Sequence, residues 1–302
     1  MKRVLTFIVD KNNNGNTIND FLLSQNISRS CISALKKETE GILVNGKEKF
    51  TDYIVQENDL VEISLTELND YSQIIPKKLN FSIIYEDEDL IVIDKPANMT
   101  VHPSVKYFEN SLENALTYYF LENNEDVVCH CINRLDKDTT GLMIVAKNRF
   151  SANILSKSLM KKEIKRKYLA LVQGKFENKV GCINAPIERE NPDSIIRIVD
   201  FKNGKDALTN YEVLNYNPKT DVSLVKLELL TGRTHQIRVH MKYLGHPLIG
   251  DELYNKTNKQ LNRQALHSYY LSFQHPITNK PLTFTTELPV DFTTLVNKCY
   301  ND

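Results

Sequence analysis

The segment Cys131 to Asn148, CINRLDKDTTGLMIVAKN, constrains the fold more than any other stretch of the chain. Arg134-Leu135-Asp136-Lys137-Asp138 crowds charges of both signs. Thr139-Thr140-Gly141 then breaks the chain, and Leu142-Met143-Ile144-Val145-Ala146 follows as an unbroken apolar run. A short apolar run behind a turn signal reads as a buried strand. The charged loop therefore enters that strand at a rim, where a scaffold can hold a carboxylate rigidly beside a cleft. Aspartate also caps turns for purely local reasons. The segment alone leaves both readings of Asp136 and Asp138 open.

The elements around it define the fold class. Thr17 with Asp20 resembles a capped helix start, with Ile18, Phe21 and Leu22 on one face. A second short helix begins at Ser28, with Ile27 as a hydrophobic staple and Ile32 and Leu35 inward. Arg29, Ser33 and Lys36 recur at helical spacing on its other side. Gly41 to Lys47 reads as a strand and an Asn-Gly turn, and Leu60 to Leu65 as another strand. These make a small α/β module over 13–66. Residues 67–78 are polar, carry Pro76, lack periodicity and read as a linker. From residue 79 to 302, strands are expected at Leu79–Tyr85, Leu90–Asp94, Lys167–Gln173, Ala207–Leu214, Val222–Leu230 and Leu282–Thr285. Helices are expected after an Asn110 cap and over Ser151–Lys161. Strands dominate without regular βαβ alternation, so the expected class is α+β with a mixed, mostly antiparallel sheet.

Composition limits the possible partners. The 302 residues carry a formal net charge of zero, so a polyanion must be met by local basic patches. The apolar stretch Val4–Val9 is too short for a signal sequence, and no run approaches a membrane span. Five cysteines without framework spacing point to reduced thiols and a cytoplasmic protein. Cys129-His130-Cys131 cannot easily close a tetrahedral site and has no Cys-x-x-Cys partner, so no metal is expected. Nothing demands more than a monomer.

Two further segments carry chemistry. Leu230 to His240, LTGRTHQIRVH, crowds two arginines, two histidines and a glutamine around Ile237 and Val239. Some of these polar groups must face inward, and a buried arginine requires an anionic partner, for which Asp136 is a candidate. Lys161 to Val172, KKEIKRKYLALV, leads a cationic run into an alternating strand with Tyr168 at its start. Such a run is commonly solvated surface, but a basic track feeding an aromatic is also how proteins grip a nucleic-acid backbone and stack on a base.

In this order, Asn133 to Leu142, Lys165 to Val172 and Thr231 to His240 resemble the motifs of the RluA/RluD-type pseudouridine synthases. Asp94 to Pro103, Gly245 to Asp251, Leu266-His267 and His275-Pro276 are similar to that family's leading and closing motifs. The resemblance runs from Leu79 to about Pro289. The module before it resembles the S-four domain, a small RNA-binding unit that many members carry. There the resemblance assigns phosphate contacts to Arg29, Lys36 and Lys47, which suits cations on a preformed helix face and turn.

The resemblance implies that Asp136 is the catalytic carboxylate and that Asp138 is a turn residue. It implies that Arg134 fills the gap left by a flipped nucleotide, and that Tyr168 packs against the uracil. Arg238 best matches the arginine paired with the carboxylate, with Arg233 as the other candidate. Pseudouridine forms when the uracil–ribose C–N bond breaks, the base turns, and carbon 5 joins the same sugar carbon. No redox change occurs, so neither a metal nor an organic cofactor is needed. The carboxylate can attack the sugar or take a proton from it. The target must first leave the stack, which explains an arginine wedge and an aromatic platform. The expected activity is isomerisation of uridines, in large-subunit ribosomal RNA ahead of transfer RNA. Asn133 stands where the family often has His, and Thr140 where it often has Ser. Asn removes a titratable group, so that position carries no essential proton. The rivals are an RNA-binding protein without activity and a glycosidase using Asp136 with Asp138. Asp136, Tyr168 and Arg238 together argue against the first, and the basic module against the second.

Overall fold

The computed structural model describes residues 2–67, 74–104, 107–125, 127–256 and 260–300. The N-terminal module is a four-stranded antiparallel sheet of β1 (Lys2–Ile8), β2 (Ile42–Val44), β3 (Lys47–Glu48) and β4 (Leu60–Thr66), ordered β1-β4-β2-β3. It packs with helices α1 (Ile18–Ser24) and α2 (Arg29–Leu35), whose caps are the expected Thr17 and Ser28. The Asn45-Gly46 turn has both residues at positive φ, the geometry that matches the twist of a two-residue hairpin. The stretch Val4–Val9 therefore lies largely in a strand. β1 pairs along its whole length with β4, so the module's sheet begins at Lys2, upstream of residue 13.

The second sheet has ten strands. They are β5 (Ser82–Glu86), β6 (Leu90–Lys95), β7 (His130–Cys131), β8 (Thr140–Ala146), β9 (Lys165–Gln173) and β10 (Val180–Asn184), then β13 (Leu208–Asn217), β14 (Val222–Leu229), β15 (Leu266–Gln274) and β16 (Pro281–Thr285). A small hairpin of β11 (Ile187–Arg189) and β12 (Arg197–Val199) stands apart from it. The helices are α3 (Leu112–Glu122), α4 (Arg149–Met160), α5 (Gln236–Tyr243) and α6 (Val290–Tyr300). The order is β10-β13-β14-β9-β15-β8-β6-β5, and the one parallel pairing joins β15 to β8. The class is thus the mixed, mostly antiparallel α+β expected. Helix α3 is capped by Ser111, not Asn110. Asn114 returns a bond to the Ser111 N–H, closing a capping box that Glu113 is one position too early to make.

The unbroken apolar runs of β6 and β8 follow from burial on both faces. Ile91, Ile93, Met143 and Val145 enter the core shared with α3 and α5, while Leu90, Val92, Leu142 and Ile144 enter the core beneath α4 and β16. The parallel seam between β8 and β15 is two residue pairs long, His267 to Thr140 and Ser268 to Gly141. Gly141 has φ +113, and a Cβ there would lie 2.3 Å from the Ser268 carbonyl oxygen. The glycine read as part of a turn is therefore the point of closest approach between two halves of the sheet. Gly141→Ala is expected to lower stability by about 3 kcal/mol or more, through steric overlap and φ strain together. An unshifted urea midpoint would show that the seam can open freely.

The module is fastened to the sheet. Phe150 of α4 sits in the module's core against Phe7, with ring centroids 6.5 Å apart. Arg3 grips Asp89 with two bonds of 3.0 Å. Glu67, the first residue of the expected linker, accepts from the Arg149 N–H and lies 2.9 Å from His130 Nε2. Residues 68–73 of that linker lie outside the described residues.

Candidate active site

Three elements bring the site together beside the β8–β15 seam. The loop from β7 to β8 carries Asp136, β9 carries Tyr168, and α5 carries Arg238. The loop is held in several ways. Leu135 is buried in the core between the exposed Arg134 and the half-buried Asp136. Asn133 Oδ1 accepts from the Ile144 N–H at 2.9 Å, a structural duty that needs no titratable group. The fully buried Lys95 ammonium donates to the carbonyls of Pro96, Met99 and Lys137, tying the loop after β6 to the loop of Asp136. Asp138 accepts from the Asn98 N–H at 3.2 Å, so it braces these same loops.

Arg238 Nη1 donates to Asp136 Oδ2 at 3.0 Å, across 102 residues of chain. Its Nε and Nη2 donate to the two oxygens of Asp251 at 2.7 and 2.8 Å. Asp251 is fully buried and also accepts from the N–H groups of Leu253 and Tyr254. The Tyr254 ring lies 5.1 Å from the guanidinium carbon. Arg238 is thus locked on one edge and presents a single nitrogen to Asp136. Burial opposes its charge, but Asp251 and Asp136 outweigh burial and hold the guanidinium above its ordinary pKa. Burial pushes the Tyr168 hydroxyl up, so it is a neutral phenol at physiological pH. His235 starts α5 in a left-handed conformation, φ 58, with Nδ1 2.9 Å from the Tyr254 hydroxyl. Burial holds its pKa below the usual value, against the pull of Asp136.

A cavity of about 790 Å³ opens onto Asp136, lined by Thr100–Ser104, Cys131–Lys137 and Leu229–Thr234. Its charged lining comprises Arg134, Lys137, Lys162, Arg166 and Arg233 against one carboxylate, Asp136. A chain of zero net charge therefore concentrates cations at one cleft. A small adjoining recess of about 50 Å³ brings Asp136, Tyr168 and Arg238 together with Leu229, Ile237 and Leu266. Arg233 is exposed and borders both spaces, but its Nε donates to the Asp206 carbonyl. Of the two candidate arginines, Arg238 is the one that reaches Asp136. Arg29, Lys36 and Lys47 are exposed on the N-terminal module and line neither space. Helix α4 connects the two regions. Asn153 bonds the Asn26 carbonyl of the module, while Met160 borders the cavity, and its 12 residues span about 18 Å.

Nothing local in the sequence marks Asp251 as the anchor of Arg238, or gives Lys95 and Arg166 a role, although all three lie within motif segments. Asp251 lies in a segment singled out for its motif, but no local pattern shows that its side chain is buried. In Cys129-His130-Cys131, His130 Nε2 lies 2.9 Å from Glu67. Among the described residues one group could hold a metal, Asp87, Asp89 and His275. Asp89 is already gripped by Arg3, and Asp87 accepts from Tyr85 and meets His275 at 2.8 Å. These residues fasten the module and are no part of the cleft.

The family profile described as RNA pseudouridylate synthase matches residues 89–243. The chain is 37% identical over 280 residues to a Bacillus subtilis protein named uncharacterized RNA pseudouridine synthase YjbO, covering 93% of this chain and 98% of that one. It is 37% identical over 260 residues to the ribosomal large subunit pseudouridine synthase D of Blochmanniella floridana, covering 79% of each. Among solved structures, human RNA pseudouridylate synthase domain containing 1 superposes with a TM-score of 0.57 at 28% identity. The match covers 70% of this chain and 84% of that one.

Proposed function

The chain belongs to the RNA pseudouridylate synthase family, and on that premise we propose that it isomerises particular uridines of large-subunit ribosomal RNA. Asp136 acts on the ribose, Arg238 fixes its orientation, and Tyr168 packs against the uracil. Arg134 and Arg233 border the place where the flipped nucleotide enters. The observation that carries the reading is the 3.0 Å contact of Arg238 with Asp136 at the floor of a cleft lined by five cations. Relatives named as ribosomal large subunit synthases support the choice of RNA.

Chemically, the recess holds one carboxylate, the guanidinium groups of Arg134, Arg233 and Arg238, the His235 imidazole and a neutral phenol beside apolar side chains. The carboxylate is placed to engage the sugar as the glycosidic bond breaks. The aromatic and apolar walls hold the detached uracil while it turns, because a freed base that met water would be lost as product. When carbon 5 joins the sugar, its hydrogen leaves. The activity is therefore read as tritium release from RNA labelled at carbon 5 of uracil. Absence of release from total RNA of a strain lacking the gene would overturn it. Mapping pseudouridines in that strain tests the substrate. Losses confined to transfer RNA would overturn the ribosomal assignment.

We also propose that the small module over 13–66, completed by β1, is an S-four-like unit binding the same RNA through Arg29, Lys36 and Lys47. Their exposure and the α4 connection support it. Changing all three to Gln should lower the salt dependence of RNA affinity by about three in log–log slope, since each phosphate contact contributes nearly one. Tritium release at saturating RNA should persist. An unchanged slope would remove these residues from the interface.

A further inference from the structure

Three arginines are buried among the described residues, Arg166, Arg238 and Arg263. Arg238 has Asp251 and Asp136, and Arg263 has Asp291. Arg166, 5% exposed, has no carboxylate within 4.0 Å among the described residues. Its Nη2 donates to the Leu229 and Thr231 carbonyls, both at a long 3.3 Å, and its buried Nε has no partner among the described residues. A buried guanidinium in this condition is costly, because carbonyl dipoles replace only part of its lost hydration. The side chain borders the large cleft, whose other charged walls are four cations and Asp136. Gly232 lies against it, and a Cβ on that glycine would stand 3.2 Å from Nη1. The turn after β14 thus leaves the guanidinium room beside the cleft.

Strand periodicity fixes where this charge lies. Arg166 and Tyr168 are both buried, two apart on β9, so their side chains share a face about 7 Å from one another. We propose that Arg166 is a phosphate-binding residue that holds the phosphodiester of the RNA beside the target uridine, an inference that rests on the function proposed above. The free protein carries this unpaired charge, and the RNA backbone supplies the counter-ion. It differs from Arg134 and Arg233, which are exposed and stay hydrated without a ligand.

The test uses the full chain with Arg166→Met and Arg166→Lys, and in-vitro transcribed large-subunit ribosomal RNA as the probe. Removing an unpaired buried charge while keeping the packing should leave the melting temperature of the RNA-free Met variant unchanged or raised. Its RNA affinity should fall between about tenfold and a hundredfold, the range for hydrogen bonds to a charged group. The log–log salt slope should fall by about one, and Lys should restore that slope. A Met variant with a lowered melting temperature and an unchanged slope would show a structural arginine and overturn the inference. Wild-type affinity in the Met variant would also overturn it. Tritium release by the wild type on the same RNA is measured alongside. Release together with an unchanged slope rejects Arg166 alone, whereas absence of release rejects the proposed function and the inference with it.

Discussion

Asp136→Asn is expected to reduce tritium release by at least about a thousandfold while the protein stays folded, a loss within the range for removing a positioned acid–base group. Asparagine keeps the size of the side chain and an oxygen that can accept from Arg238 Nη1. Arg238 also retains Asp251, so its charge is not abandoned. The melting temperature should move by only a few degrees, and RNA affinity should hold. What disappears is the anionic oxygen, the one carboxylate lining the recess among the described residues. Release at the wild-type rate would remove Asp136 from the chemistry.

The second large effect is expected at a residue that does not face the cleft. Asp251→Ala takes away the acceptor for two Arg238 nitrogens and for the Leu253 and Tyr254 N–H groups. Breaking a buried pair from one side costs about 3–5 kcal/mol, which should lower the melting temperature by roughly 10 °C. Asp251→Asn separates position from stability. It keeps a hydrogen-bond acceptor but not the charge, so Arg238 is left with Asp136 as its one anionic partner and should turn toward it. A carboxylate gripped at both oxygens is less free to engage the sugar. The Asn variant should therefore lose kcat by about tenfold or more, at near-wild-type KM, since an interaction serving only the transition state is affected. Arg238→Lys should not rescue it, because lysine cannot reproduce a guanidinium that holds two partners on separate edges. Wild-type kcat in Asp251→Asn would reduce Asp251 to a packing element.

The extent to which the molecule can be read from its residues differs between its parts. The caps at Thr17 and Ser28, the Asn-Gly turn and the run Leu142–Ala146 depend on neighbours within a few residues, and they are present as expected. Strand β1 carries no such local signal, because its burial comes from β4, more than fifty residues away. Helix α3 forms where its pattern predicts, but one residue later than an Asn110 cap, since Asn110 and Ser111 are equally good caps and the capping box depends on Asn114. Strand β15 holds the sheet together yet has no strand signature of its own. Its residues, LHSYYLSFQ, mix polar and aromatic types without clean alternation, because a register shift between Ser268 and Tyr270 breaks the two-residue period.

The residues in order specify the chemistry on offer, a loop carboxylate at the mouth of a buried strand, an aromatic after a basic run, and an arginine on an amphipathic segment. They also specify the family they resemble. How these groups meet follows from the packed fold. It selected Arg238 over Arg233 as the partner of Asp136, turned Asp251 inward as the anchor, made Gly141 a seam between two halves of a sheet, and left Arg166 buried beside the cleft with no carboxylate partner among the described residues. The physical reason is range. Periodicity and capping record which way a side chain points on its own element. The pairing of charges across a hundred residues of chain depends on where the elements come to rest, and that is set by the packing of the whole core.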